Sequence, residues 1–590
     1  MYILGVYNGH NSTATLIKDG EVIAAASEER FIGIKNYKGL PEKAINYCLE
    51  KAAIKSSQLD LVVRSTTIGS PIHVSSEFRK DSTINLMHNL HKLINPLRRV
   101  WGEIAYHFPS LRIIGETSYT IVARTIGYIE IEKEKEAIAN KLNIPKSKVS
   151  LFDHHNSHAF SAYYSSPFSK EKSLVFVLDG EGDDCSATVY IFEKSSFIQL
   201  ARSSRTASLG AIYARVTEFL GMKSNEHEYK VMGLAPYAKD EDVENSYKKI
   251  KDIILFDKNN PLIIKSKFNT LDTDKFLNRE MKGIRFDILA GAFQKLIEKK
   301  VVEWINNAVA QTGITTVILC GGVFMNVKAN QKVCQQKRVK KIFIMPSCGD
   351  ESTPLGACYY GLINKFGYDS AKIIPIKDIY WGPEFSDREI ESAIKNKNVR
   401  KKFFVRKVKN VEKITAKLLS QGKIIARLEG RMEFGARALG NRSILASPSN
   451  TDTVRIINEQ VKNRDFWMPF APSILKERVK DYLINPKQVD SFYMMLSFDS
   501  TPLARKDLKA AMHPYDFTLR PQVVTEDLNA NYYRLIKEFE KLTGIGAVLN
   551  TSFNLHGFPI VLGPKEALDA FENSGIEYLT LENYIISKVK

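Results

Sequence analysis

The chain contains one strand pattern twice. In the first copy, the apolar segment Tyr2–Val6 is followed by a glycine-containing turn, the run S-T-A-T-L-I and a D-G turn at Asp19–Gly20. In the second copy, the apolar segment Ser173–Leu178 is followed by D-G-E-G-D-D and the run C-S-A-T-V-Y-I. Each copy predicts a strand, a turn and a hairpin of further strands. The repeat therefore predicts an α/β domain built by internal duplication, with two similar sheets.

Two such sheets resemble the actin, hexokinase and chaperone ATPase superfamily, in which facing turns hold the phosphates of a nucleotide. The turn of the second copy, and the glycine pair that ends the strand Val317–Leu319, would then contact a nucleotide through backbone amides. A glycine pair alone is also typical of any tight turn between a strand and a helix. The residues predicted to bind the nucleotide are Gly180, Gly182, Gly321, Gly322 and Asn326.

The length of the chain and the spacing of its patterns predict two domains. The 590 residues are 44% hydrophobic, which is enough for two or three separate cores. The pattern loosens around Asn364–Asp378, so we place a boundary near residue 370, between domains of residues 1–370 and 371–590. Residues 70–148 interrupt the duplication, and their basic and charged helical runs predict a helical insertion.

The net charge and the cysteine pattern limit the classes of protein to which the chain could belong. The net charge of +18 arises from 84 basic and 66 acidic residues spread along the chain, which favours a solvated basic surface over a nucleic acid partner. No apolar run approaches the roughly 18 residues of a membrane span, and no secretory signal is visible at the N-terminus. The 6 cysteines form no C-x-x-C pair, which favours buried reduced thiols and a cytoplasmic location.

The run D-H-H-N-S-H-A predicts a metal site. His154 and His158 lie four residues apart at the start of a predicted helix, so both imidazoles share one face. Asp179 ends a predicted strand and Asp350 follows another, at the strand ends where ligands gather in α/β proteins. Two imidazoles and two carboxylates suit Fe²⁺, Mn²⁺ or Zn²⁺. We interpret the remaining His155 as a structural residue or a neighbour of the ligands.

His10 lies in the glycine turn of the first copy. A histidine there is placed to act as a base on an incoming hydroxyl group. An exposed turn histidine with no chemical role explains the sequence equally well. The alternatives stay open at the level of the sequence.

The segment Gly430–Ala446 predicts an oxyanion site. It holds Arg431, Arg437 and Arg442 among glycines and buried-type apolar residues. Guanidinium groups bind phosphate and carboxylate oxygens in pairs, and glycines let the chain bring them together. Later segments add cations and amides, so we predict an anion pocket in the second half, separate from the metal site. The added residues are Lys462, Arg464, Arg520, Asn550, Ser552 and Asn554.

Several common catalytic patterns are absent from the sequence. There is no G-x-x-x-x-G-K-[ST] loop, no G-x-S-x-G elbow and no H-E-x-x-H helix. The usual P-loop, hydrolase and zinc-protease classes are therefore excluded. The metal pair and the arginine segment remain as the elements that suggest group transfer.

Along almost its whole length the chain resembles the O-carbamoyltransferases of the nodulation and cephamycin type. The matching motifs include G-H-N-S-T-A-T-L, H-H-N-S-H-A, K-V-M-G-L-A-P-Y, G-G-V-F-M-N, G-D-E-S-T-P-L-G-A, G-R-M-E-F-G-A-R-A-L-G-N-R and L-N-T-S-F-N. The resemblance implies an N-terminal domain similar to the fold of tRNA threonylcarbamoyl transferases, which belongs to the ATPase superfamily named above. It also implies a C-terminal α/β domain that is YrdC-like.

The resemblance implies a reaction in two steps. ATP and carbamoyl phosphate give carbamoyl-adenylate in the C-terminal domain, with Arg437 and Arg442 as catalytic residues and Mg²⁺ as an expected cofactor. The carbamoyl group then passes to a hydroxyl of a sugar, glycolipid or secondary metabolite at the N-terminal metal site. Asp179 and Asp350 match the metal carboxylates of the family, with Fe²⁺ as the implied ion. The sequence leaves open whether the protein forms a homodimer.

Two other functions stay open from the sequence. The +18 charge would also suit a tRNA threonylcarbamoyl-type transferase. A non-transferring ATPase switch of the actin and chaperone class would share the fold, but it has no use for the histidine pair and the arginine segment. The chain departs from the family pattern at Lys35, Lys38 and Phe558, which leaves the acceptor undetermined.

Overall fold

The computed structural model describes residues 1–67, 131–368, 372–462 and 464–589. Within these ranges the first half of the chain forms two five-stranded sheets. The first sheet has the order β3-β2-β1-β4-β5 and consists of β1 Tyr2–Tyr7, β2 Thr13–Lys18, β3 Glu21–Ser27, β4 Leu61–Arg64 and β5 Val149–Leu151. The second has the order β12-β11-β6-β7-β8 and consists of β6 Ser173–Gly182, β7 Cys185–Glu193, β8 Ser196–Ser204, β11 Thr316–Cys320 and β12 Lys341–Ile344.

These two sheets confirm the predicted duplication. In each, three strands form an antiparallel meander, β1-β2-β3 or β6-β7-β8. Two later strands then extend the sheet in parallel from its first strand, β4 and β5 or β11 and β12. A small two-stranded ribbon, β9 Ile254–Phe256 with β10 Ile264–Ser266, is added to the second copy.

Helices connect and cover these sheets. They are α1 Glu28–Ile32, α2 Glu42–Lys51, α3 (131–142), α4 His154–Ser165, α5 Leu209–Phe219, α6 Glu228–Leu234, α7 Asp240–Ile250, α8 Thr273–Glu280, α9 Phe286–Thr312, α10 Val327–Cys334 and α11 Thr353–Phe366. Helix α4 follows the last strand of the first sheet, and α11 follows the last strand of the second. The two helices therefore occupy equivalent positions in the repeat, and they pack against each other.

The packing of α4 on α11 is unusually close at one point. A Cβ atom on Gly356 would lie 1.7 Å from the backbone oxygen of Ser157, so only glycine fits there. A second close approach, between Gly5 of β1 and the backbone oxygen of Pro354, fixes α11 on the first sheet. These contacts hold the two strand ends that bear the predicted metal ligands at a defined separation.

The second half of the chain forms an eight-stranded mixed sheet. Its order is β13-β23-β22-β14-β15-β21-β16-β20, and its strands are β13 Phe404–Lys407, β14 Ile425–Leu428, β15 Arg442–Ala446, β16 Ala471–Leu475, β20 Gln522–Val524, β21 Ala547–Ser552, β22 Tyr578–Leu581 and β23 Tyr584–Ser587. A three-stranded sheet holds β17 Leu483–Ile484, β18 Phe498–Ser500 and β19 Thr518–Leu519. The helices are α12 Asp387–Asn396, α13 Val399–Lys402, α14 Val411–Ser420, α15 Asp452–Ile457, α16 Val479–Tyr482, α17 Pro502–Asp507, α18 Ala530–Thr543 and α19 Pro564–Glu572.

The halves share one continuous core. A single apolar cluster runs from Ile3 through the second sheet to Trp381, Phe434 and Ala471. Two further clusters cover the faces of the eight-stranded sheet. Polar contacts also cross the junction, because Arg431 donates to the backbone oxygen of Ile23 in β3 at 2.9 Å. The two halves are therefore packed as one body.

Two sequence predictions fall partly outside the described residues. The boundary near residue 370 lies at 369–371, and most of the insertion at 70–148 lies at 68–130. The described remainder of that insertion is helix α3, which packs on the first sheet, and the turn that leads into strand β5. All 6 cysteines are buried and free, as predicted. No helix within the described ranges has the length and apolar character needed to cross a membrane.

Replacing Gly356 with alanine tests the close packing of α4 on α11. The added Cβ would overlap the backbone of Ser157, so we expect the free energy of unfolding to fall by about 1–3 kcal/mol. Gly233→Ala is the matched control, because this helical glycine has its nearest neighbour at 3.4 Å and should change stability by less than about 0.5 kcal/mol. Urea denaturation measures both. Equal stability of the two variants would contradict the packing argument.

Candidate active site

Three segments of the chain bring the four predicted metal ligands together. His154 and His158 lie in the first two turns of α4, Asp179 lies near the end of β6, and Asp350 follows β12. One ligand atom from each residue lies within 4.8 Å of the others. His154 Nε2 lies 3.2 Å from Asp179 Oδ2 and 3.5 Å from Asp350 Oδ1, while His158 Nε2 lies 3.6 Å from Asp350 Oδ1. We call this group the metal cluster.

The chemistry of the metal cluster fits a divalent ion. His158 Nε2 is buried and has no hydrogen-bond partner among the described residues, which is costly unless something binds it. Burial by itself would lower the pKa of His154, but Asp350 and Asp179 outweigh it and raise this pKa well above its ordinary value. Burial opposes ionisation of Asp350, yet His154 and His158 hold its pKa well below the usual range. A divalent cation would satisfy both carboxylates and both imidazoles.

The neighbours of the metal cluster fix its orientation. Tyr7 donates from its hydroxyl to Asp350 Oδ2 at 2.5 Å, and the backbone N–H of Gly322 donates to Asp179 Oδ1 at 3.0 Å. Burial, together with Asp350, raises the pKa of Tyr7 well above its ordinary value, so it remains a donor. Asp183 accepts from the backbone N–H of His154 at 2.8 Å and anchors the start of α4. Tyr7 is not among the predicted site residues, because its apolar strand context gives no signal of a polar contact.

The structure separates the three histidines of α4. His155 is buried, with Nε2 at 3.1 Å from the backbone oxygen of Cys185, and it does not join the cluster. Burial and the neighbouring His154 lower its pKa well below the ordinary value, which keeps it neutral. His158 Nδ1 instead lies 3.4 Å from Cys320 Sγ, which leaves Nε2 for the cluster.

The residues predicted to bind a nucleotide surround the metal cluster but differ in their contacts. Gly180, Gly182 and Gly322 line the cavity described below. A Cβ on Gly182 would lie 2.0 Å from the ring of His154, so glycine is required there. Gly321 has a φ of 99° and packs on the backbone of Leu178, away from the cavity. Asn326 lines the cavity, but its amide is paired with Gln294 and caps α10.

Four cations of the second half form a group with few partners, which we call the cation cluster: Arg437, Lys462, Arg464 and Arg520. Within the described residues, none of the four forms an ion pair with a carboxylate. Burial lowers the pKa of Arg437 to about 10. Burial, with Arg437 and Arg464 as neighbours, lowers the pKa of Arg520 well below its ordinary value. Uncompensated buried cations are destabilising, and a bound anion removes that cost.

Lys462 is the member of the cation cluster with protein partners. Its Nζ donates to Ser552 Oγ at 3.1 Å and Asn554 Oδ1 at 2.6 Å, and it also contacts the backbone oxygen of Ser552. Burial and the adjacent Arg464 lower its pKa well below the ordinary value. Ser552 and Asn554 line the cavity beside it, so the structure brings these three predicted residues together.

Three residues predicted for the anion pocket lie elsewhere. Arg442 is fully buried and donates to five backbone carbonyls, including those of Leu562 and Pro383, so it organises the loop and does not face the cavity. Arg431 donates to carbonyls at the junction of the halves. Asn550 donates to the backbone of Ala438 behind the loop. We therefore no longer assign these three to the anion site, since spacing cannot tell an arginine that binds a ligand from one that binds the backbone.

The predicted separation of the two sites is also corrected. One cavity of about 920 Å³ is lined by all four members of the cation cluster and by His154, Asp179 and Asp350 of the metal cluster. His10 lines it as well, and burial lowers the pKa of this histidine despite the nearby Asp350. The two halves thus enclose a common space, since strand ends of the first half face the loops of the second.

Helix α6 and the α1 region link the two clusters across this cavity. Lys230 pairs with Asp465 at 3.0 Å, next to the cation cluster. Arg30 of α1 donates to the backbone oxygen of Gly435 at 3.0 Å, in the loop that presents Arg437. Residues of the first half therefore hold the arginine loop in place.

Comparison with known proteins gives matches across most of the chain. A family model described as "Carbamoyltransferase N-terminus" matches residues 2–359, and one described as "Carbamoyltransferase C-terminus" matches residues 416–588. Nodulation protein NolNO of Sinorhizobium fredii is 30% identical over 591 residues, which covers 98% of this chain and 79% of that protein. Uncharacterized protein MJ1051 of Methanocaldococcus jannaschii is 32% identical over 596 residues, covering 100% of both.

Among solved structures, the likeness is weak. The structure titled "Crystal structure of full-length HypF in the phosphate- and nucleotide-bound form" is 14% identical, with a TM-score of 0.32, over 62% of this chain and 56% of that chain. A likeness of this size carries no argument about function. The family models and full-length relatives are the matches that bear on the chain.

Replacing Tyr7 with phenylalanine tests how the metal cluster is held. The variant loses the hydrogen bond to Asp350, so we expect the affinity for Fe²⁺ or Mn²⁺ to fall about 10-fold. Equilibrium dialysis with elemental analysis measures the bound metal. Tyr47→Phe is the control, since it also loses a hydroxyl bond, to the backbone of Trp381, but lies outside the cluster. Unchanged affinity in Tyr7→Phe would contradict the role given to this hydroxyl.

Replacing Arg442 and replacing Arg437 should have different effects on the unfolding free energy. Arg442→Met removes donors from buried carbonyls, so we expect a loss of about 3 kcal/mol or more in unfolding free energy. Arg437→Met removes an unpaired buried cation, so stability should hold or rise while stabilisation by added pyrophosphate is lost. Urea denaturation with and without pyrophosphate distinguishes them. The same response in both variants would overturn the distinction.

Proposed function

The chain belongs to the carbamoyltransferase family, and on that premise we propose that it is an ATP-dependent O-carbamoyltransferase that makes and uses carbamoyl-adenylate within one cavity. The observation that carries this proposal is the shared cavity, which joins a cation cluster suited to phosphates with a His/Asp cluster suited to a metal ion. A labile intermediate formed at one cluster would reach the other without entering bulk solvent.

The first step belongs to the cation cluster. Water releases phosphate from carbamoyl phosphate and leaves carbamate. A carbamate oxygen then attacks the α-phosphorus of ATP, forming a new O–P bond while the bond to pyrophosphate breaks. Arg437, Arg464 and Arg520, which form no hydrogen bond or ion pair within the described residues, bind the phosphate oxygens and stabilise the charge on the leaving pyrophosphate. Mg²⁺ would accompany the nucleotide.

The second step takes place beside the metal cluster. The acceptor hydroxyl attacks the carbamoyl carbon, the bond to AMP breaks, and a proton leaves the hydroxyl. His10 lines the cavity with a lowered pKa, so it is neutral near pH 7 and able to take that proton. His154, His158, Asp179 and Asp350 would hold a divalent ion, iron by family resemblance, which supplies a positive charge for the phosphate of the adenylate.

The N-terminal half has the duplicated sheets expected of the ATPase superfamily, which supports a nucleotide between them, next to Gly180 and Gly182. We propose a hydroxylated small molecule or glycan as the acceptor. A YrdC-like C-terminal domain is proposed on family resemblance, as is the division of the chain near residue 370.

Variants at the metal cluster and at the cation cluster test which cluster carries out each step. His154→Ala with His158→Ala should abolish carbamoyl transfer while ATP–pyrophosphate exchange that depends on carbamoyl phosphate continues. Arg437→Met or Arg520→Met should lower that exchange about 100-fold or more, while carbamoyl-adenylate supplied directly is still consumed. Exchange is measured with labelled pyrophosphate, and transfer with labelled carbamoyl phosphate and a panel of hydroxylated acceptors.

The control for the arginine variants is Arg455→Met, because within the described part of the chain this exposed arginine forms an ion pair only with the exposed Glu459. It should leave exchange at the wild-type rate. Loss of exchange in the histidine variants would refute the assignment of the first step to the second half of the chain. Persistence of exchange in Arg437→Met and Arg520→Met would refute the role of the cation cluster.

A further inference from the structure

Glu351 is a buried acid of the cavity that the reaction described above does not use. It is 5% exposed and lines the cavity directly after Asp350. One carboxyl oxygen, Oε1, accepts from the hydroxyl of Ser347. The other, Oε2, is buried without a hydrogen-bond partner among the described residues. A buried acceptor without a partner is costly, and a bound ligand or an ordered water would remove that cost.

Space beside Oε2 is kept by a glycine. A Cβ on Gly349 would lie 2.3 Å from Oε2, although the backbone of Gly349 has an ordinary conformation that alanine could adopt. Gly349 itself lines the cavity. Oε2 therefore packs against Gly349 in the cavity wall, where any larger residue at position 349 would displace it.

The loop of Glu351 packs on the loop of the cation cluster. A Cβ on Gly435 would lie 2.4 Å from Ser347 Oγ, so the two loops touch. Arg437, two residues further on, lines the same cavity, and its Nε also lacks a hydrogen-bond partner within the described part of the chain. Glu351 and Arg437 do not pair with each other. Glu351 and Arg437 thus line one cavity from adjoining loops, and among the described residues each has one buried polar atom without a hydrogen-bond partner.

These two groups match the two ends of a carbamoyl compound. Carbamoyl phosphate and carbamate carry an NH₂ group that can only donate, next to anionic oxygens that can only accept. We propose that Glu351 Oε2 accepts a hydrogen bond from the carbamoyl NH₂ while Arg437 binds the neighbouring anionic oxygen. This inference rests on the proposed function, and it makes Glu351 the residue that selects carbamoyl phosphate over acyl phosphates of the same size.

The selection has a simple physical basis. Acetyl phosphate replaces NH₂ with CH₃, so it would fill the same volume but leave Oε2 buried and unpaired. Sites that hydrogen-bond a substrate N–H reject analogues that lack it far more strongly than apolar pockets reject a size change. Burial raises the pKa of Glu351, and the argument holds for either protonation state because a neutral carboxyl keeps an acceptor oxygen.

The test compares the affinity of the whole protein for carbamoyl phosphate and acetyl phosphate by calorimetry, with a nonhydrolysable ATP analogue present. We expect the wild type to prefer carbamoyl phosphate by about 10-fold or more. Glu351→Met keeps the length of the side chain but removes both oxygens, so the preference should fall to about threefold or less, chiefly through weaker binding of carbamoyl phosphate. Glu351→Gln keeps an acceptor oxygen and should retain part of the preference.

Glu228→Gln is the matched control, since Glu228 also lines the cavity but belongs to α6, and it should keep the wild-type preference. An unchanged preference in Glu351→Met, or an equal loss for both phosphates, would overturn the proposal. Loss of bound metal in Glu351→Gln would overturn it as well, because the acid would then serve the metal cluster. If the wild type binds no carbamoyl phosphate at all, the proposed function itself fails, which separates the two results.

Discussion

The contact between Gly356 and the backbone of Ser157 is the constraint on which the active-site geometry depends. It lets α4 and α11 approach closely enough that the end of β12 and the start of α4 bring Asp350 and the two histidines to one point. The duplication explains why this point exists, because the two helices follow equivalent strands of two equivalent sheets. The metal cluster lies at this junction and takes residues from both copies, so neither copy could form it alone.

The two sides of the cavity differ in charge, and this difference supports the proposed function. On the side of the first half, imidazoles and carboxylates compensate each other and leave one buried nitrogen unpaired. On the side of the second half, burial lowers the pKa of four cations, and no carboxylate among the described residues forms an ion pair with them. Uncompensated buried cations of this kind lower the stability of the free protein, and we expect phosphate-bearing ligands to restore it.

The same loops also hold residues with purely structural tasks. Arg442 and Arg437 are five residues apart in one motif, yet one binds backbone carbonyls and the other faces the cavity. Glu433 contributes to this division, since its carboxylate accepts from the backbone N–H groups of Leu439 and Arg442 and so shapes the loop between them. The loop therefore contains two kinds of arginine: Arg442 holds the backbone in place, and that backbone presents Arg437 to the cavity.

The sequence determined the repeat, the strand ends and the chemical character of both clusters. Strand periodicity and turn residues are local properties, so the duplicated sheets and the positions of His154, His158, Asp179 and Asp350 at strand ends followed from pattern alone. The pattern did not predict the role of Tyr7 or the merging of two expected pockets into one. It also did not predict that Arg431, Arg442 and Asn550 lie outside the cavity. Those features depend on which surfaces of the two halves meet, and on which side-chain donors lie within hydrogen-bond distance of a backbone carbonyl. Only tertiary packing decides such contacts, because most of them join residues far apart in the chain that no local pattern connects.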